Sequence, residues 1–164
     1  MIEVKELRAI DIEHVLCVQN QCYRPELIES AESFLTKIAI CSSTCVGAWE
    51  KEALCGYLFA HPWKIGLPVQ LDRRSNQMPE GVDGIYLHDL AVTPECRGRG
   101  VPRALLRPVL EYARCTGLLR FALVSVQGSE PFWERWGFSL KYTLPYAPGV
   151  TGSYMTCEGL PSWR

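Results

Sequence analysis

Between residues 96 and 102 the chain reads Cys96–Arg97–Gly98–Arg99–Gly100–Val101–Pro102, a run whose residue types suit the holding of an anion. Glycine reaches backbone angles that other residues avoid and lets a phosphate come close to the main chain. The arginines add positive charge, and an amphipathic segment follows. The free N–H groups at the start of a helix there would complete a phosphate cradle. Pro102 falls in the first helical turn, where its missing N–H costs no intrahelical bond but removes one phosphate donor. The run lacks the lysine and Ser/Thr of a nucleotide-hydrolysing loop. It also lacks the GxGxxG spacing and downstream acid of a dinucleotide site. A solvent-exposed basic turn is the plainer alternative.

Directly upstream, Leu87–His88–Asp89–Leu90–Ala91–Val92 carries a titratable pair inside an apolar, strand-like run. Histidine takes up a proton near neutral pH, so His88 is the candidate base or a member of a water chain. Neighbours on a regular strand point to opposite faces, so only one of His88 and Asp89 faces a cleft unless a bulge intervenes. With a bulge, Asp89 would orient the site or bind a cationic acceptor. Tyr86 shares the face of His88 at i, i+2 and is placed to hydrogen-bond a water relay. Each of the three also has a structural reading: a satisfied core histidine, a backbone-bonded carboxylate, a packing tyrosine. Cys96, beside the arginines, has no evident His/Asp companion for covalent catalysis. Glu26, Glu29 and Glu32 either draw in a cation or form the wet face of a helix.

These residues need a frame. Ile2–Glu6 alternates as a first strand. Asp11 is placed to cap a helix with Ile12, Val15, Leu16 and Gln19 at helical spacing, broken at Tyr23–Arg24–Pro25. A second helix is expected from Pro25 or Glu26, with Leu27, Ala31, Phe34, Leu35 and Ile38 on its apolar face. Thr44–Trp49 and Leu54–Ala60 read as a hairpin ended by Pro62. Trp63–Gly84 has no sustained period and is long for a connection, which suggests a functional or mobile loop. Ile85–Val92 is the most buried-looking strand, and Val101–Cys115 is a helix with a kink expected at Pro108. Leu118–Val126 is a strand and Glu130–Trp136 a short helix stopped by Gly137. Phe138–Leu144 and Ser153–Cys157 should close the sheet around a Pro/Gly loop. This order gives an α/β fold, a mixed twisted sheet with helices on both faces, in one domain spanning residues 1–164.

The bulk numbers narrow the partners. The 164 residues are 48% hydrophobic, and 17 basic against 18 acidic side chains leave a formal charge of -1. No global field draws in nucleic acid or an anionic membrane. Local basic charge at Arg97, Arg99, Arg103 and Arg107 suits a small anionic ligand. Eight irregularly spaced cysteines and three histidines show neither a disulfide framework nor zinc-ligand spacing. No signal peptide or membrane-spanning run is legible. Reduced thiols and a cytoplasmic location are expected, with no metal.

At this point the chain resembles the Gcn5-related N-acetyltransferase (GNAT) superfamily. The signature Arg/Gln-x-x-Gly-x-Gly/Ala falls on Arg97, Gly100 and position 102, where Pro102 stands. Pro131–Phe132–Trp133–Glu134–Arg135–Trp136–Gly137–Phe138 is similar to the family's later aromatic segment ending in Gly–Phe. Leu87–Val92 resembles strand four of the arylalkylamine acetyltransferase branch. His88 matches the second histidine of a His-x-His pair, Tyr86 stands at the first, and Trp133 stands where that branch has a catalytic tyrosine. The resemblance implies a mostly antiparallel sheet of six to seven strands with about four helices, splayed between strands four and five. It implies acetyl-CoA as cofactor, with the backbone of Leu90, Ala91 and Val92 on the pantetheine arm. The N–H groups from Arg97 through Gly98, Arg99 and Gly100 to Val101 would take the pyrophosphate. Pro102, Phe132 and Trp133 would border the cofactor, although Trp133 and Trp136 also fit the core. The two leading helices and the Trp63–Gly84 loop would cover the acceptor.

The expected activity is acetyl transfer to a primary amine of a small molecule by direct attack in a ternary complex, in a monomer or homodimer. The alternatives are acetylation of a protein N-terminus or lysine, and a CoA-binding module with weak or lost catalysis. A closed tunnel favours a metabolite and an open groove a peptide.

Overall fold

Seven strands form one sheet in the order β1-β2-β3-β4-β5-β7-β6 in the computed structural model, which describes Met1–Arg164. They are β1 (Glu3–Glu6), β2 (Cys45–Glu50), β3 (Ala53–Trp63), β4 (Gly84–Val92), β5 (Arg120–Ser125), β6 (Ser139–Ala147) and β7 (Val150–Glu158). All neighbours pair antiparallel except β4 and β5. The helices are α1 (Ile12–Cys22), α2 (Ala31–Ile40), α3 (Val101–Thr116) and α4 (Glu130–Arg135). The expected mixed sheet with four helices is thus present, with the full seven strands.

Alternation along the strands builds a core on each face. On one face, Leu58, Ile85, Leu87 and Phe121 pack against Val101, Leu105, Leu106 and Val109 of α3. On the other, Tyr57 and Phe59 pack against Val15 and Val18 of α1 and Phe34 of α2. Helix α3 begins after Gly100 at φ 76° and ends at Gly117 at φ 74°, left-handed conformations that suit glycine. It runs through Pro108 as one element.

Four local expectations are corrected. The second helix does not begin at Pro25: Pro25–Leu27 makes a single 3-10 turn, and α2 starts after Ser30, whose Oγ accepts the Ser33 N–H at 3.2 Å. That cap offers an unpaired helical N–H a partner, which Pro25 does not. Glu29 therefore lies outside the helix and is buried, not on a wet face. Asp11 does not cap α1; its carboxylate accepts the Arg8 N–H at 2.8 Å. Pro62 does not end β3, which continues to Trp63: pairing with β2 stops at Phe59, so that edge needs no donor from a proline. The Pro/Gly loop near the C-terminus is a tight turn, because β6 and β7 pair up to Ala147 and Val150.

Candidate active site

Strands β4 and β5 pair only at Ile85–Phe121 and Tyr86–Ala122, then part. The edge of β4 from Leu87 to Val92 is thereby left unpaired toward β5. On its other edge the β3 register shifts: Asp89 lies opposite Phe59 and Leu87 opposite Ala60, so His88 is an extra residue. Such a bulge turns the side chains beyond it by one step. Leu87 and Leu90 consequently face the α3 core, while His88 and Asp89 both face the α1–α2 side. The condition under which both titratable residues share a cleft is met.

Behind them lies a buried polar cluster. His88 Nε2 is 2.9 Å from each carboxylate oxygen of Glu29. Glu29 also accepts the Asp72 N–H at 2.7 Å and the Ser33 hydroxyl at 3.1 Å, and Lys37 Nζ lies 4.0 Å away. Burial works to raise the Glu29 pKa, but His88, Lys37 and the Asp72 N–H outweigh it and hold it at about 2. Burial pushes His88 down, against the pull of Glu29. At neutral pH the ring is therefore neutral and gives Nε2–H to the carboxylate, while Lys37 carries the balancing charge. His88 Nδ1, enclosed and without a partner, keeps its lone pair.

Asp89 accepts hydrogen bonds from Tyr23 Oη at 2.5 Å and Tyr57 Oη at 2.8 Å. Burial, then the Glu29 charge, raise it to about 7. Tyr86 is sealed at 1% exposure with its hydroxyl unpartnered, its ring 6.0 Å from that of His88 and outside the cavity wall.

At the cradle, the N–H groups of Gly98, Arg99, Gly100, Val101 and Arg103 make no hydrogen bond within the protein. A Cβ built on Gly98 or Gly100 meets nothing within 4 Å. The turn thus presents free amides to open space, which fits a diphosphate. Arg97 Nε donates to Val92 O at 3.4 Å, and Arg97 borders the cleft. The Arg99 guanidinium turns back to Glu50 at 2.6 Å, so only its amide faces the cradle.

A cavity of about 420 Å³ fills the space between the parted strands. Leu90, Ala91, Val92, Arg97, Gly98, Pro102, Phe132 and Trp133 line it, as do Glu29, His88 and Asp89. Trp133 serves both readings: it borders the cavity and is a buried core residue in edge contact with Phe132 and Phe138. Leu71 from the long connection, Tyr23 and Tyr146 also line it. Gln127, at φ 54°, reaches across to α1, accepting the Arg24 N–H at 3.0 Å and donating to Cys22 O at 3.1 Å. No tyrosine near Trp133 takes over as acid from this side: Tyr154 accepts the Gly66 N–H at 2.7 Å, Tyr142 stacks on it, and neither lines the cavity. Lys37, Tyr23, Tyr57 and Tyr146 were not singled out as site residues from sequence, and Glu29 only with Glu26 and Glu32 as an acid that either draws in a cation or lies on a wet helix face; the cap at Ser30 was the available signal for its burial.

The Acetyltransferase (GNAT) family profile matches residues 12–138, and the chain belongs to that family. Among solved structures it is similar to the loading GNATL domain of CurA from Lyngbya majuscula, with TM-score 0.82, 13% identity and coverage of 96% of this chain and 98% of that one. It is also similar to the PaiA N-acetyltransferase of Thermoplasma acidophilum in complex with coenzyme A, at 0.71, 18%, 96% and 99%. Arabidopsis thaliana Naa50 with a bisubstrate analogue gives 0.72, 14%, 94% and 97%. No curated protein matches. The family makes this an acyl-CoA-dependent acetyltransferase fold, with acetyl-CoA its cofactor. No helix is long and apolar enough to cross a membrane.

Proposed function

We propose that residues 1–164 form one catalytic domain that transfers an acetyl group from acetyl-CoA to the primary amine of a small molecule, by direct attack in a ternary complex. The observation that carries this is the docked connection between β3 and β4, which brings Leu71 into the cavity wall. The connection between β3 and β4 is tied down by Asp72, which accepts from Ser30 N at 2.8 Å and Ser30 Oγ at 2.7 Å, and by Arg74 on Glu32 at 3.3 Å. With Leu71 and Tyr146 in the wall and Gln127 spanning to α1, the space suits a compact amine better than a polypeptide.

Acetyl-CoA supplies an activated thioester carbonyl. In this reading the free amides from Gly98 to Val101 hold its diphosphate, the Arg97 N–H being taken by Pro94 O at 3.4 Å against the expectation from sequence, and the unpaired edge at Leu90, Ala91 and Val92 holds the pantetheine arm beside Pro102, Phe132 and Trp133. His88 accepts the ammonium proton at Nδ1, directly or through water, and the Glu29 carboxylate stabilises the charged ring. Asp89 adds negative potential for a cationic acceptor, and Tyr86 buttresses the ring. Orientation and exclusion of water supply much of the remaining rate. Trp133 has no acidic proton to give the departing thiolate, whose free pKa of roughly 8.5 lets it leave unaided. The arylalkylamine-like strand β4 makes aryl and alkyl monoamines the first acceptors to try.

The test is thiol release from acetyl-CoA with a panel of primary amines and N-terminal peptides. Turnover of small amines and not peptides is expected. Turnover of peptides alone would replace the small-molecule reading, and tight CoA binding without turnover on any amine would leave a binding module.

A further inference from the structure

We propose that Asp72, in the connection between β3 and β4, is a positioning residue for His88: its docking on Ser30 sets its own backbone N–H on Glu29, and Glu29 fixes the ring. This rests on the reading of His88 as proton acceptor.

The argument starts from what holds Glu29. Its backbone is clamped independently of the loop: Gln19 Oε1 accepts the Glu29 N–H at 2.8 Å, and Gln19 Nε2 donates to Glu29 O at 3.0 Å. Undocking the loop therefore leaves the main chain of Glu29 in place and frees only its carboxylate. On that carboxylate, Oε1 is shared by the Asp72 N–H at 2.7 Å, His88 Nε2 at 2.9 Å and Ser33 Oγ at 3.1 Å. The shortest of these comes from the loop. Without it, the carboxylate is free to turn toward Ser33 and Lys37, and His88 loses the two-oxygen contact that selects the Nε2–H tautomer.

Asp72 is shaped for this task. It sits at φ 57°, a left-handed conformation that aspartate tolerates better than most residues. Its Oδ1 takes both Ser30 donors, while Oδ2 takes Arg74 Nη2 at 2.8 Å. The Asp72 side chain thus anchors the loop to the start of α2 and aims its own amide inward. The charged and titratable groups around the Glu29–His88 pair are Lys37 from α2, Asp89 and Tyr86 from β4, His61 and Tyr57 from β3, Arg73 from the connection and Tyr146 from β6. None of them donates a hydrogen bond to the Glu29 carboxylate at a distance matching the Asp72 amide.

The experiment follows the His88 imidazole by nitrogen-15 NMR in the full chain without substrate, alongside amine turnover. Wild type should show a single Nε2–H tautomer with a downfield, slowly exchanging proton. Asp72→Ala and Ser30→Ala should each broaden or lose that resonance. Their kcat should fall by on the order of tenfold, a fraction of the ~10²–10⁴ that an aligned base supplies, with KM for acetyl-CoA unchanged. Asp72→Asn, which keeps an acceptor for Ser30, should restore both signals. An unchanged His88 resonance in a folded Asp72→Ala or Ser30→Ala protein would overturn the proposal. If no amine is turned over, the amine reading fails while the resonance still decides the role of Asp72.

Discussion

His88 Nε2 stands 2.9 Å from both carboxylate oxygens of Glu29, with the two side chains only 1% and 2% exposed. A neutral ring giving its only N–H to a carboxylate has a lone pair at the other nitrogen and a counter-charge ready for the proton it gains. His88→Gln should therefore slow turnover by about 10²–10⁴ at neutral pH, where the acceptor arrives as ammonium. The deficit should shrink at high pH, where the amine is already free. A kcat/KM profile measures this, and equal loss at every pH would remove His88 as base.

Asp89 makes a prediction of stability with the opposite sign to that of an ordinary carboxylate. Its pKa rises from 3.8 to about 7 through burial and the Glu29 charge. Over that interval the folded state holds a proton that the unfolded chain has released, so this residue's contribution to stability falls as pH rises from about 4 to 7 and is level beyond. Asp89→Asn lacks the effect. Its stability relative to wild type should climb across that window by a few kcal/mol at most, at about 1.4 kcal/mol per pH unit. Urea titrations at matched pH values give the difference directly.

The two arginines of the cradle should separate. Arg97 borders the cleft and has no carboxylate partner, whereas Arg99 is occupied with Glu50 through Nη2–Oε1 at 2.6 Å. A charge-assisted hydrogen bond is worth about 1.5–3 kcal/mol, so Arg97→Ala should weaken acetyl-CoA binding by on the order of tenfold or more. Arg99→Ala should have a clearly smaller effect, since its amide remains. Calorimetry at fixed ionic strength makes the comparison, and added salt should narrow the gap.

How much of this was legible follows from the range of the forces involved. The Arg97–Pro102 turn and the helix after it are local chemistry, written in glycine, arginine and period. The splay between β4 and β5 came through family resemblance, because the loss of two-strand pairing leaves no local mark. The bulge did leave one: Leu87, Leu90 and Val92 share a face, and the step of three between the first two breaks the strand period across His88–Asp89. Glu29 was harder. An acid next to a proline-led helix reads as solvated, and only the Ser30 cap moves it inside. That it meets His88 and the Asp72 amide depends on contacts across 59 and 43 residues, which no helix or strand window along the chain contains.

Glu29 and Lys37 allow stability and catalysis to be separated. Both side chains are 2% exposed and stand 4.0 Å apart, with Lys37 Nζ also 2.8 Å from Ser33 Oγ. Glu29→Gln leaves the ammonium buried without its counter-charge and should cost about 3–5 kcal/mol, as should Lys37→Met from the other side. The double variant removes both charges and should recover most of that loss, a coupling that a double-mutant cycle in denaturant measures. Wild-type Glu29, at about 2 against 4.5 when free, lends stability that is fully present above 4.5 and fades as pH drops toward 2. The double variant should lack that acid limb. Its kcat should nevertheless stay low, because a neutral amide offers an imidazolium no balancing charge. A double variant that regained both stability and turnover would show that Glu29 serves the fold and not the proton transfer.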